Sequence, residues 1–223
     1  MKLFYSSILT SVAVLSFTAC GGGSSSSNAV SVPDSSSTST PTSTITSKAL
    51  RGSNGAAATG SVSLSGGTYT YTYNGTEVNV SPTGLSAGNV LNLTSGGIKT
   101  VTGGTTYSYS RFGGISTATD LTKSELYYIG AKTASMPTTG TATYSGQIVD
   151  NNLANSAATF NVNYGAKTIT SSSLALNGTI TGSDFAGTVT GGTFNGSFFG
   201  PKAEELGGVG TTNGSGFSFG AKK

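Results

Sequence analysis

The stretch Phe194-Asn195-Gly196-Ser197-Phe198-Phe199, running into Gly200-Pro201-Lys202-Ala203-Glu204-Glu205-Leu206-Gly207-Gly208, decides how this chain folds. Phe194, Gly196 and Phe198 alternate with Asn195, Ser197 and Phe199, the period-two pattern of a strand with one buried face. Pro201 removes a backbone donor and sets φ for a first helical turn. Ala203 to Leu206 are therefore expected to make about one turn of helix, which Gly207-Gly208 ends. Glu204 and Glu205 are then expected on a solvated turn at a rim, without an acid or base role. After a bend at Gly214 and Gly216, a last strand carries Phe217 and Phe219 on one face.

Strand-length runs extend outward from this hairpin. Thr139 to Gln147, Ala158 to Tyr164, Lys167 to Ser172, Leu174 to Ile180 and Asp184 to Val189 precede Gly192 to Phe199; Gly208 to Thr212 and Gly214 to Gly220 follow it. Eight such strands can close a small antiparallel barrel whose interior is filled by side chains. Hairpins are expected at Tyr164-Gly165-Ala166-Lys167, Leu176-Asn177-Gly178-Thr179 and Thr190-Gly191-Gly192. Gly207-Gly208-Val209-Gly210 lies between strands and not ahead of a helix, so it is expected to be a barrel turn and not a phosphate loop.

From 56 to 136 the pattern is again β-rich. Tyr69, Tyr71 and Tyr73 alternate with threonines and end at Asn74-Gly75, a type I′ hairpin signal, after which Val78 and Val80 return. Leu91 with Leu93, Ile98 with Val101, and Tyr107 with Tyr109 mark further candidate strands, separated by Gly96-Gly97 and Gly103-Gly104. Arg111-Phe112-Gly113 and Tyr127-Tyr128-Ile129-Gly130 close this half. The expected fold class is all-β: an N-terminal β-rich domain over 56–136, then an eight-stranded antiparallel β-barrel over 137–223.

Composition excludes several functions. Charged residues are only 9% of the chain, mean hydropathy is zero and 34 residues are glycine, so polarity comes from Ser and Thr hydroxyls. The net charge of +3 is dispersed, with no cluster of Lys and Arg among aromatics, which argues against nucleic acid as a partner. Histidine is absent. That removes the commonest general base, the commonest zinc ligand and the Ser-His arrangement together. The chain reads as a non-enzyme with no cofactor and no metal.

Residues 1–19 have the form of a secretory signal: Lys2, then a mostly apolar run from Ile8 to Ala19 that is too short for a permanent span. Phe17-Thr18-Ala19-Cys20 resembles a lipobox, and Cys20 is the only cysteine, so Cys20 is expected to be lipidated and to become the N-terminus. Several acyl chains, at about 0.8 kcal/mol per buried CH₂, hold such a protein on the membrane. Gly21 in place of Asp resembles the sorting rule for the outer membrane. From Cys20 to residue 55 the chain is mainly Ser, Thr, Gly and Pro and is expected to be a disordered tether, reaching roughly 30–35 Å on average.

Three stretches resemble one known family. Met136-Pro137-Thr138-Thr139-Gly140-Thr141-Ala142-Thr143-Tyr144-Ser145-Gly146 resembles the start of its barrel. Phe160-Asn161-Val162-Asn163-Tyr164 with Lys167-Thr168-Ile169-Thr170 resembles its first long hairpin, and Phe198-Phe199-Gly200-Pro201 through Gly208 its closing motif. The family is that of transferrin-binding protein B and related surface lipoproteins of Gram-negative bacteria, among them the haemoglobin-haptoglobin utilisation lipoprotein, factor H-binding protein and heparin-binding antigen. Arg111-Phe112-Gly113 and the Tyr-Tyr-Ile-Gly run are similar to the smaller "handle" domain that precedes the barrel.

The resemblance implies a lipid-anchored outer-membrane protein, flipped to the cell surface by a translocon, that binds a host protein. An iron or haem carrier of the haemoglobin class, delivered to a TonB-dependent receptor, is the first expectation; a complement regulator such as factor H is the alternative. Direct haem binding is a lesser one, since without His the axial ligand would be Tyr, Met136 or Cys20. For partner contact the candidates are Tyr69, Tyr71, Tyr73, Tyr107, Tyr109, Arg111, Tyr127 and Tyr128, because Tyr and Arg are favoured interface anchors. Alternating aromatics on a strand serve equally as core or cross-strand pairs.

Overall fold

The computed structural model describes residues 44–82 and 90–223. The expected signal sequence, Cys20 and the expected tether as far as residue 43 lie outside the described residues. The N-terminal half contributes β1 (Ile45–Arg51), β2 (Ser61–Ser65), β3 (Thr68–Tyr73), β4 (Thr76–Asn79), β5 (Val90–Ser95), β6 (Ile98–Gly103), β7 (Ser110–Thr117) and β8 (Asp120–Ala131). These form the handle: a five-stranded sheet in the order β1-β8-β7-β6-β5, and a three-stranded sheet β2-β3-β4.

Most of β7 and the second half of β8 are buried at consecutive positions because the centre of the five-stranded sheet is covered on both faces. In β8, Leu126 and Tyr128 pack toward the barrel, while Tyr127 and Ile129 pack under the three-stranded sheet with Tyr69, Tyr71, Tyr73, Val62 and Val80. Asn74 and Gly75 both have positive φ (49° and 79°), the hairpin expected from Asn-Gly, and join β3 to β4. Tyr107 and Tyr109 are not in a strand. They lie in the loop between β6 and β7, where the Tyr109 N–H donates to the barrel's Glu205 while its carbonyl accepts from Ala131 N–H of β8 (2.9 Å).

The expected boundary at 55 also shifts. β1 lies inside the stretch assigned to the tether and pairs along its whole length with β8, from Ile45↔Ala131 to Arg51↔Glu125. Ile45, Ala49 and Leu50 are too sparse to give a clear apolar pattern, yet Leu50 is buried between handle and barrel and Ala49 packs in the handle core.

The second half closes as expected. The strands β9 (Thr141–Asp150), β10 (Asn155–Asn163), β11 (Thr168–Ser171), β12 (Leu176–Thr181), β13 (Asp184–Val189), β14 (Gly192–Phe199), β15 (Glu205–Thr212) and β16 (Ser215–Lys222) form a closed antiparallel barrel. Phe160, Phe185, Phe194, Phe198, Phe217 and Phe219 fill its interior, with the Phe160 and Phe219 rings stacked at 5.0 Å. The exterior of β10 to β13 is Thr159, Asn161, Asn163, Thr170, Asn177, Thr179 and Thr188, all exposed. That polar wall is unlike the apolar outer band of a barrel that sits in lipid.

Local details differ from the sequence expectations. Residues 200–203 form a turn and Glu205 already opens β15, so the expected helical turn over Ala203 to Leu206 is replaced by strand. Leu206 must enter the barrel core beside Phe198, to which it is paired, and a helix would turn it away. Gly207, Gly208 and Gly210 are inside β15, and Asn177-Gly178 inside β12, rather than in turns. In each case a ring lies over the bare glycine face: Phe219 over Gly208, Phe217 over Gly210 and Phe194 over Gly178.

The molecule has two ends. Thr44, the first described residue, lies beside Lys132, whose N–H donates to the Thr44 carbonyl (2.9 Å). The β10–β11, β12–β13 and β14–β15 connections and the end of β16 share that end of the barrel. The opposite end carries residues 52–55 after β1, the β3–β4, β5–β6 and β7–β8 turns of the handle, and the β9–β10, β11–β12, β13–β14 and β15–β16 turns of the barrel.

Candidate functional site

The candidate partner-binding tyrosines are mostly interior. Tyr71 and Tyr127 are 0% exposed, Tyr107 1%, Tyr73 2%, Tyr128 5% and Tyr69 7%. They hold the layers of the handle together rather than presenting an anchor outward. Tyr109 and Arg111 are half-buried. The Arg111 guanidinium lies 5.6 Å from the centre of the Tyr69 ring and donates to the carbonyls of Tyr107 and Ser110. Met136 packs on the barrel core. Cys20 lies outside the described residues.

Burial sets the electrostatics of this group. Desolvation raises the phenol pKa of Tyr69, Tyr71, Tyr107, Tyr127 and Tyr128 above the usual value of 10.0, so all stay neutral. For Tyr71 a hydrogen bond to the Glu125 carboxylate (2.8 Å) adds to the rise. Burial likewise lowers Arg111 from its ordinary value of 12.5.

Two buried glutamates, Glu125, which the sequence did not single out, and Glu205, expected on a solvated turn, organise the junctions. Glu125 of β8 accepts from the backbone N–H of Thr59 (2.8 Å) and Gly60 (3.1 Å), the Thr59 hydroxyl (2.7 Å) and the Tyr71 hydroxyl. It ties the segment leading into β2 onto the five-stranded sheet. Glu205 of β15 accepts from the N–H of Ser108 (2.5 Å) and Tyr109 (3.1 Å) and from the Ser110 hydroxyl (2.7 Å), tying the handle to the barrel. Glu205 is therefore not on a solvated turn; it is 3% exposed. Desolvation raises its pKa above 4.5, against the opposing pull of those hydrogen bonds and of Arg111. The signal was phase: Glu125 alternates with Tyr127 and Ile129 on one face of β8.

Aromatics and glycines complete the handle–barrel junction reciprocally. The handle's Phe112 ring lies on Gly220 of β16, and the barrel's Phe199 ring on Gly130 of β8, where a Cβ would overlap each ring. Phe199 thus faces outward from the barrel and is still buried, so β14 has two buried faces where the sequence suggested one. The Tyr107 hydroxyl donates to Gly220 O (3.2 Å) and the Ser218 hydroxyl to Gly113 O (2.8 Å). Handle and barrel form one packed body over the outer faces of β9, β14, β15 and β16.

The accessible surface is at the ends. At the turn-rich end, remote from Thr44, a cleft of about 260 Å³ is lined by Arg51, Ser53, Thr59, Tyr73, Asn74, Thr122, Lys123 and Glu125. Around it stand exposed Asn54, Asn74, Asn152 and Asn213. These groups can exchange neutral hydrogen bonds with a large polar partner, with Arg51 and Lys123 as its cations.

Comparison with known proteins agrees with this architecture. Residues 136–223 match the family described as C-lobe and N-lobe β barrels of Tf-binding protein B. Among solved structures, transferrin-binding protein B from Haemophilus parasuis Hp5 aligns over 80% of this chain and 45% of its own, at 21% identity and TM-score 0.61. The isotype 1 transferrin-binding protein B from serogroup B Neisseria meningitidis aligns over 80% and 43%, at 19% identity and TM-score 0.58. This chain thus spans less than half the length of these two solved proteins. Comparison with curated protein sequences finds no match. The barrel over residues 136–223 thus matches the Tf-binding protein B barrel family by sequence, and handle and barrel together share the fold of the solved transferrin-binding protein B structures.

Proposed function

We propose that this chain is a lipid-anchored surface protein of the outer membrane that captures a host iron-carrier protein, of the transferrin or haemoglobin class, for a TonB-dependent transport system. The observation that carries the proposal is the joint match of handle and barrel to transferrin-binding protein B over 80% of the chain. A protein lipidated at Cys20 and tethered through residue 43 keeps its Thr44 end toward the membrane and offers its turn-rich end outward. That end is the capture face. Eight turns from both domains converge there, and turns on a rigid β scaffold are where binding groups concentrate. The buried tyrosines support this face from below by fixing the handle sheets on which the turns stand.

The test is capture of transferrin, haemoglobin and the haemoglobin–haptoglobin complex by the immobilised chain at micromolar concentration, with Lys123→Glu combined with Asn74→Ala as the face variant. Binding of at least one carrier, weakened by the variant, is expected. No capture of any of the three overturns the proposal, and capture of factor H alone assigns the protein to complement-regulator recruitment instead.

A further inference from the structure

The two ends of the body differ in charge as well as in shape. At the tether end, Lys132, Lys167, Lys202, Lys222 and Lys223 stand against Asp184, Glu204 and the buried Glu205. All three acids are already engaged, Glu205 by the handle. Asp184 accepts from Lys132 (2.6 Å) and from the Ser197 hydroxyl (2.7 Å), and Glu204 from the backbone N–H of Lys202 (2.8 Å). Among the described residues no carboxylate pairs with Lys167, Lys202 or Lys222. At the turn-rich end Arg51, Lys99 and Lys123 are outnumbered by Glu77, Asp120, Glu125 and Asp150, and Lys123 pairs with Asp120 at 3.3 Å. The excess positive charge of the folded body is therefore gathered where the chain leaves toward its N-terminus.

We infer that the tether-side end of the barrel docks on an anionic lipid surface. Charge complementarity and the tether's exit at the same end argue for this occupant. A lipid anchor at Cys20 lies close in sequence to Thr44, which keeps the lysines within reach of the headgroups. Each cation held near a negatively charged membrane adds about 1 kcal/mol of attraction, and the field decays within a Debye length of about 8 Å. Lysines gathered at one end consequently act as an orienting foot: they bring that end to the membrane and turn the opposite end outward. This deepens the proposed function, since it explains how a lipid-anchored body presents one face, and it rests on that proposal for the membrane anchor.

The mature chain carrying Cys20→Ser, without lipid, isolates the effect. Its partitioning is measured by co-sedimentation with vesicles of phosphatidylcholine alone and of equal parts phosphatidylcholine and phosphatidylglycerol. Binding to the anionic vesicles only, reversed by added salt, is expected. The variant Lys167→Gln/Lys202→Gln/Lys222→Gln should lower the partition coefficient by about tenfold or more. The matched control Lys48→Gln/Lys99→Gln/Lys123→Gln should lower it much less, with melting temperatures checked for both. No binding of the parent chain, equal binding to both vesicles, or equal losses in the two triple variants overturns the inference. Such a failure leaves host-carrier capture standing, because the pull-down needs no membrane.

Discussion

Tyr71 and Tyr127 are in contact, ring centres 5.0 Å apart, and differ in what their hydroxyls do. The Tyr71 hydroxyl donates to Glu125, whereas that of Tyr127 makes no hydrogen bond among the described residues. Tyr71→Phe should cost about 1–3 kcal/mol because it takes a donor from a buried carboxylate. Tyr127→Phe should change stability by less than about 0.5 kcal/mol or improve it, since it deletes an unsatisfied polar group. Urea unfolding of both variants checks the contrast. Glu205 gives a pH signature. Its folded pKa is raised, so the folded state holds this proton more tightly than the unfolded one. Its contribution is thus fully present below about pH 4.5 and is lost as pH rises through the elevated value. The urea midpoint of the parent protein should fall with rising pH over that window relative to Glu205→Gln, and parallel curves would contradict the assignment.

At the scale of elements, β1 is the least obvious strand and one of the most consequential. It covers the edge of β8, and the five-stranded sheet has β1 at one margin and β5 at the other. A chain beginning at residue 56, the boundary that sequence suggests, would leave β8 as a bare edge beside Tyr127 and Tyr128 and remove Leu50 from the handle–barrel core. Loss of Leu50 alone is worth about 2–5 kcal/mol, and an exposed flat edge pairs with other chains. Residues 56–223 should therefore melt well below residues 44–223 and associate in gel filtration. Equal melting temperatures would demote β1 to an ornament of the tether.

For the whole molecule, location is separable from fold. Cys20→Ser should release the protein from the membrane fraction in a high-salt wash that leaves the lipidated parent in place, because salt screens lysine–headgroup attraction but does not extract acyl chains. Protease added to intact cells should remove the folded body of the lipidated parent protein. Survival until the outer membrane is permeabilised would mean that it faces the periplasm, and host capture would fall with that result.

Strands, barrel closure and the aromatic interior of the barrel were legible in the chain, because side-chain alternation and Gly- or Asn-containing turns are local signals. Phe194 with Phe198, Phe217 with Phe219, and Asn74-Gly75 each declared their geometry within a few residues. What lies on the other side of a strand is not local. Phe199, Glu205 and Ser218 sit on the outer face of the barrel, where the period-two pattern assigns solvent, and only the docking of the handle turns that face into a second core. Handle–barrel docking buries Tyr107 and Tyr128, and packing of the three-stranded sheet on the five-stranded one buries Tyr69, Tyr71, Tyr73 and Tyr127: a tyrosine looks alike in sequence whether it meets a partner or a second sheet. The clustering of lysines at one end was invisible for the same reason. Lys132, Lys167, Lys202 and Lys222 are far apart along the chain, and it is the antiparallel closure of the barrel that brings them to a common end.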